Sequence, residues 1–71
     1  MIYRDWITLL RWAGGEEFLR KLAIEHNVDI TTTKTKGLIR ETIYYVVQGE
    51  EKDLIKFKNS VYISIREYNK D

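Results

Sequence analysis

Residues 28–48 read VDITTTKTKGLIRETIYYVVQ. Two runs dense in β-branched and aromatic residues flank Lys36-Gly37, the pattern of a β-hairpin closed by a two-residue turn. A loop at 36–37 sets Thr35 opposite Leu38, Lys34 opposite Ile39, Thr32 opposite Glu41, Ile30 opposite Ile43 and Val28 opposite Tyr45. Cross-strand partners share a face of the sheet. Val28, Ile30, Ile43, Tyr45 and Val47 therefore form one apolar side, the expected core face. The other side carries Thr31, Thr33, Arg40, Thr42, Tyr44, Val46 and Gln48. The tip, from Thr32 to Glu41, is polar on both sides and is expected to project into water.

Upstream, MIYRDWITLLRWA (1–13) carries two conflicting signals. Its polar residues Arg4, Asp5, Thr8 and Arg11 recur at helical intervals. Its composition favours a strand around Trp6 to Trp12, and so does its context. A strand, then Gly14-Gly15, a helix and a second strand make a compact βαβ unit. The glycine pair allows a sharp reversal. It lacks the longer Gly-spaced loop and the Lys-Ser/Thr of a phosphate-binding loop. EEFLRKLAIEH (16–26) predicts a helix with acids at its start and a buried stripe of Phe18, Leu19, Leu22 and Ala23, ended by Asn27.

Downstream, Gly49 ends the hairpin, and Glu50, Glu51 and Asp53 open a last helix from about residue 50 to 68. Leu54, Phe57, Val61, Tyr62, Ile65 and Tyr68 would share its apolar face. A rival reading stops this helix near Asn59 and makes VYISIREY (61–68) a final strand.

The order β-α-β-β-α over residues 1–71 describes a single small α+β domain. It resembles the ferredoxin-like split-βαβ sandwich, with 61–68 as an optional final strand. That resemblance implies an antiparallel sheet with two helices on one face. The glycine at the end of the first strand, and the helix-to-strand passage EHNVDI, are also similar in placement to ACT-type amino-acid-binding regulatory domains.

Charge and composition narrow the function classes. Twelve Lys/Arg against eleven Asp/Glu leave a net charge of +1, with the signs interspersed. That is no footprint for strong nucleic-acid or acidic-lipid binding. With no Cys and one His, neither a disulfide framework nor an all-protein zinc site is expected. A soluble, cytoplasmic protein is the expectation, without cofactor or metal. His26 lacks a local motif joining it to a nucleophile and an orienting acid. The adjacent pairs Glu16/Glu17 and Glu50/Glu51 do not face each other on a helix. No enzyme activity is expected.

If Ile7 and Leu9 point to the helices, then Trp6, Thr8, Leu10 and Trp12 point to the open face, beside Arg40, Tyr44 and Val46. The expected binding residues are thus Trp6, Trp12, Arg40, Tyr44 and Val46. An uncovered patch of this kind suits a homodimer or a partner-protein interface. The expected function is therefore a non-enzymatic interaction domain acting as a homodimer or an assembly subunit. Two alternatives use other features. One is an RNA or single-stranded nucleic-acid module stacking bases on that face, with Arg11, Arg40 and Lys34 as cations. The other is a small-ligand sensor using the Gly14-Gly15 loop.

Overall fold

In the computed structural model, which describes residues 1–68, the chain forms β1 (Ile2–Leu10), α1 (Gly15–Glu25), β2 (Asp29–Lys36), β3 (Arg40–Gln48) and α2 (Glu51–Tyr68). The three strands lie in the order β1-β3-β2, and both pairings are antiparallel. β1 and β2 therefore run parallel to each other with β3 between them. Crossing from β1 to β2 takes α1 over one face, and α2 returns over the same face.

The core follows from alternation. Ile7 and Leu9 of β1 and Ile43, Tyr45 and Val47 of β3 share a face, and all five are buried. Leu19 and Ala23 from α1, and Leu54, Phe57 and Val61 from α2, close over them, with Ile65 packed alongside. Phe57 sets its ring edge-on to Tyr45, with centroids 6.0 Å apart and planes at 76°. The spacing of Leu54, Phe57, Val61 and Ile65 is what makes the last segment helical. The rival strand at 61–68 is overturned, because one helical stripe reaches the core where a strand would have turned alternate residues away. Tyr62 departs from its expected place: it is exposed on the flank of α2. The expected placement of the Tyr68 side chain lies outside the described residues.

Helix α1 ends as its sequence suggests. Asn27 takes a left-handed conformation (φ 58°). The Asn27 N–H donates to the Ile24 carbonyl at 3.2 Å and the Val28 N–H to the Ala23 carbonyl at 2.9 Å. Those two bonds satisfy carbonyls that the helix end would otherwise leave unpaired.

The hairpin corrects the expected turn and register. Its turn is centred on Leu38-Ile39, with the Gly37 N–H donating to the Arg40 carbonyl at 2.8 Å. Ile30 therefore meets Val47, and Thr32 meets Tyr45, four residues along from the expected partners. A Lys-Gly turn needs a left-handed residue, and Gly37 does not adopt one. A four-residue shift is even, so every side chain keeps its face. The alternation therefore could not reveal it. What fixes the turn comes from outside the hairpin. Arg11 donates its backbone N–H to the Ile39 carbonyl at 2.9 Å and a guanidinium N–H to the Leu38 carbonyl at 3.1 Å. As expected, the tip projects into water: residues 33–40 are all exposed, Leu38 at 92%, and burial begins only where β1 flanks β3. Glu41, opposite Leu9, is only 5% exposed.

β1 also starts and stops earlier than expected, at Ile2 and Leu10. The Ala13 N–H then bonds the Leu10 carbonyl at 3.0 Å. Gly14 (φ 71°) begins the helix, and Gly15 presses its backbone against the sheet. A Cβ on Gly15 would stand 2.7 Å from Ile43 Cδ1 and 3.0 Å from Leu9 Cδ1. Gly15→Ala is therefore expected to lower the unfolding free energy by about 1–3 kcal/mol through overpacking. Urea denaturation checks this. Since alanine normally favours a helix over glycine by up to about 1 kcal/mol, a gain in stability would show that the contact yields freely.

Candidate functional site

Both helices cover one face of the sheet, so the other face is bare. On it the ladder sets out rows of side chains: Arg4, Val46 and Thr31; Trp6, Tyr44 and Thr33; Thr8, Thr42 and Thr35. Leu10 and Arg40 follow at the end nearer the hairpin tip. Trp6 is 60% exposed, Tyr44 50% and Val46 36%. Thr8 and Thr42 share a hydroxyl hydrogen bond of 3.0 Å. The bare face thus has an aromatic and aliphatic centre, with Arg4 and Arg40 toward its ends and threonines along its β2 side.

Four of the five expected site residues, Trp6, Arg40, Tyr44 and Val46, come together here. Trp12 does not join them. β1 ends two residues before it, and the chain has already turned. Trp12 is 72% exposed and lines a cleft at the start of α1. Lys34 and Arg11 are also placed elsewhere. Lys34 shares the helix side with Ile30, with its Nζ 3.7 Å from Glu16. Arg11 is engaged at the hairpin tip. Arg4 is the residue that sequence reasoning passed over. Its signal was its even spacing from Trp6 along β1.

The cleft at the start of α1 has a volume of about 450 Å³ and is lined by Arg11, Trp12, Gly14, Gly15, Glu16, Glu17, Lys34, Lys36 and Glu41. Its charges are of both signs and partly satisfy one another. Glu16 accepts the Thr32 hydroxyl at 2.7 Å and lies 3.9 Å from Arg20. The Thr32 hydrogen bond and the nearby Lys34 and Arg20 charges hold its carboxyl below the ordinary carboxylate range.

A second groove, of about 770 Å³, runs between β1 and α2. It is lined by Tyr3, Asp5, Trp6, Ile7, Thr8, Tyr45, Lys58, Val61, Tyr62, Ile65 and Arg66. Asp5 organises its floor. One carboxylate oxygen accepts the Tyr3 hydroxyl at 2.6 Å, and the other accepts the Trp6 backbone N–H at 2.8 Å. Lys58 Nζ sits 5.1 Å from the centre of the Tyr3 ring, within cation–π range. Burial, with the Asp5 carboxylate beside it, pushes the Tyr3 hydroxyl up to about 12. Burial, then the charges of Asp5 and Tyr3, raises Tyr45 as well.

His26 and Ser60, far apart in sequence, meet at 2.9 Å between His26 Nε2 and Ser60 Oγ. The bond ties the end of α1 to the middle of α2, and neither residue lines either of the two clefts. Among the described residues no group of three His, Cys, Asp or Glu side chains is placed to hold a metal ion, and no helix is long and apolar enough to cross a membrane. Comparison with protein families, with curated proteins and with solved structures finds no match to this chain.

The tyrosine environment gives a pH prediction. Tyr3 loses its proton near pH 10 in the unfolded chain and near 12 in the folded one. The folded state thus holds more protons across that interval, so stability is intact below pH 10 and falls as pH rises toward 12. Tyr3→Phe removes this part of the loss. The stability difference between wild type and Tyr3→Phe, from urea melts at pH 8 to 11.5, should shift against wild type as pH rises. A difference constant with pH would refute the assignment.

Proposed function

We propose that this chain is a small protein-interaction domain, acting in the cytoplasm as a homodimer or as a subunit of a larger assembly through its bare sheet face. We read its architecture as a ferredoxin-like split-βαβ sandwich without the fourth strand. The support for that reading is the element order together with the sheet order β1-β3-β2. The absence of cysteine suits a reducing compartment. No catalytic role is assigned to any residue.

One observation carries the functional reading. Trp6 and Tyr44 are direct cross-strand partners, both at least half exposed, with Val46 beside them on a face that neither helix covers. Large contiguous apolar patches are uncommon on monomers. Aromatic residues and arginine are the types enriched at the centres of protein interfaces, and Arg4 and Arg40 flank this patch. A domain of this size also gains from association, because folding alone hides only about 60% of the unfolded chain's surface. Base stacking on the same two rings is the competing use, and the near-balanced charge weighs against it.

Light scattering over a concentration series tests the reading. Wild type is expected to rise from 8.5 kDa toward twice that mass. Tyr44→Lys with Val46→Glu is expected to weaken association by tenfold or more while the circular dichroism is unchanged. An equal mass for both proteins at every concentration would remove this face as a self-association surface. Tight, salt-dependent quenching of tryptophan fluorescence by short single strands would favour the nucleic-acid use instead.

A further inference from the structure

The outer edge of β1 is built differently from the outer edge of β2. Two bonds bracket β1 on its β3 side: Gly49 N–H to the Met1 carbonyl at 3.1 Å and Arg11 N–H to the Ile39 carbonyl at 2.9 Å. An antiparallel ladder alternates. The odd-numbered residues of β1 therefore face β3, and Ile2, Arg4, Trp6, Thr8 and Leu10 turn their N–H and C=O groups to the edge. The Trp6 N–H is held by Asp5 and the Leu10 carbonyl by Ala13. β2, the other edge, reads DITTTKTK, with two lysines and four threonines, a composition that discourages added strands. β1 reads IYRDWITLL, nine residues of which six are apolar, with no lysine and its charges confined to Arg4 and Asp5. The apolar groove between β1 and α2 lies directly beside it.

We propose that the β1 edge takes the β1 of a second copy in antiparallel pairing, with Trp6 on the two-fold axis, joining two sheets into one of six strands. This rests on the interaction-domain reading and names both a partner and a second, separate contact. The charges along the strand select the register. A two-fold axis at Arg4 would set arginine against arginine, and one at Asp5 would set aspartate against aspartate; directly opposed like charges disfavour both. An axis at Ile7 leaves Ile2 and Tyr3 unpaired and sets Arg4 against Leu10. The axis at Trp6 pairs the whole strand, because Trp6 is the midpoint of Ile2–Leu10. Arg4 then meets Thr8, Tyr3 meets Leu9, and Ile2 meets Leu10 of the second copy. Trp6 meets its twin beside Tyr44, so the aromatic row continues across the joint. The outward groups of Trp6 are of the parity this ladder needs. Asp5 must release the Trp6 N–H before it can pair across the joint, a cost that the new ladder has to offset.

Because the chain has no cysteine, disulfide trapping reads the register directly. In the proposed pairing Arg4→Cys and Thr8→Cys lie opposite each other across the joint, about 5.5 Å apart at Cα, within disulfide reach. Within one strand the same two residues are about 13 Å apart and cannot bridge. The double variant, oxidised at micromolar concentration, is expected to form covalent dimer on the order of tenfold or more faster than Arg4→Cys alone, since a docked pair meets at millimolar effective concentration. Ile2→Cys with Leu10→Cys reports the same register should loss of the Thr8 hydroxyl disturb folding. Repeating the trap with Tyr44→Lys and Val46→Glu present separates the two contacts. Rapid trapping in both backgrounds supports edge pairing independently of the face. Trapping no faster than the single-cysteine control, while light scattering shows a dimer that the face variants abolish, overturns the edge pairing and leaves the face reading standing. Slow trapping with monomer mass at every concentration overturns both.

Discussion

Ile43, Tyr45 and Val47 must be kept dry on one face of a strand hydrogen-bonded along both edges, and the rest of the molecule depends on that requirement. Such a strand needs a neighbour on each side and a cover above. β2 is supplied by the hairpin. β1 arrives by the α1 crossover, which also delivers Leu19 and Ala23 as cover. α2 completes the cover with Leu54, Phe57 and Val61. Gly15 shows how tightly the parts are held, since the start of α1 sits against Ile43 and Leu9 with no space for a methyl group.

The same economy leaves the sheet incomplete. Two helices are enough for one face of three strands and offer nothing to the other face. Tyr44 and Trp6 must therefore sit in water or against another molecule. The free edge of β1 is a second consequence, since no fourth strand from the described residues lies beside it. A small domain has little apolar area to spend on stability, so surfaces that remain uncovered in one copy are its main reserve for association.

Asp5 links the interior to that edge. Its two oxygens hold the Tyr3 hydroxyl and the Trp6 N–H, and Tyr3 in turn carries Lys58 over its ring. A half-buried phenol, a strand-edge donor and a lysine of α2 thus depend on one carboxylate. Arg11 plays a comparable part at the other end of β1, where it satisfies the carbonyls of the hairpin turn. Glu16 does so at the start of α1 by binding Thr32 and Lys34 of β2. These contacts sit at junctions between elements, where local patterning carries no information about partners.

Alternation and helical spacing were legible in the sequence. They are properties of adjacent residues, and period two or 3.6 sorts side chains to faces whatever the partner. From them came the element order, the buried set Ile43, Tyr45 and Val47, and the shared bare face of Trp6, Tyr44, Val46 and Arg40. What the tertiary structure decided was everything set by a distant residue. The hairpin turn moved to Leu38-Ile39 because β1 and Arg11 hold it there, and a shift by an even number leaves no trace in the pattern. Glu41 became buried because β1 flanks the tip. Trp12 left the bare face because the strand closes at Leu10 to begin the helix. His26 and Ser60, thirty-four positions apart, met only because two helices cross the same sheet face. Local sequence determines which side of a strand or helix a residue occupies; the packing of whole elements determines what that side meets.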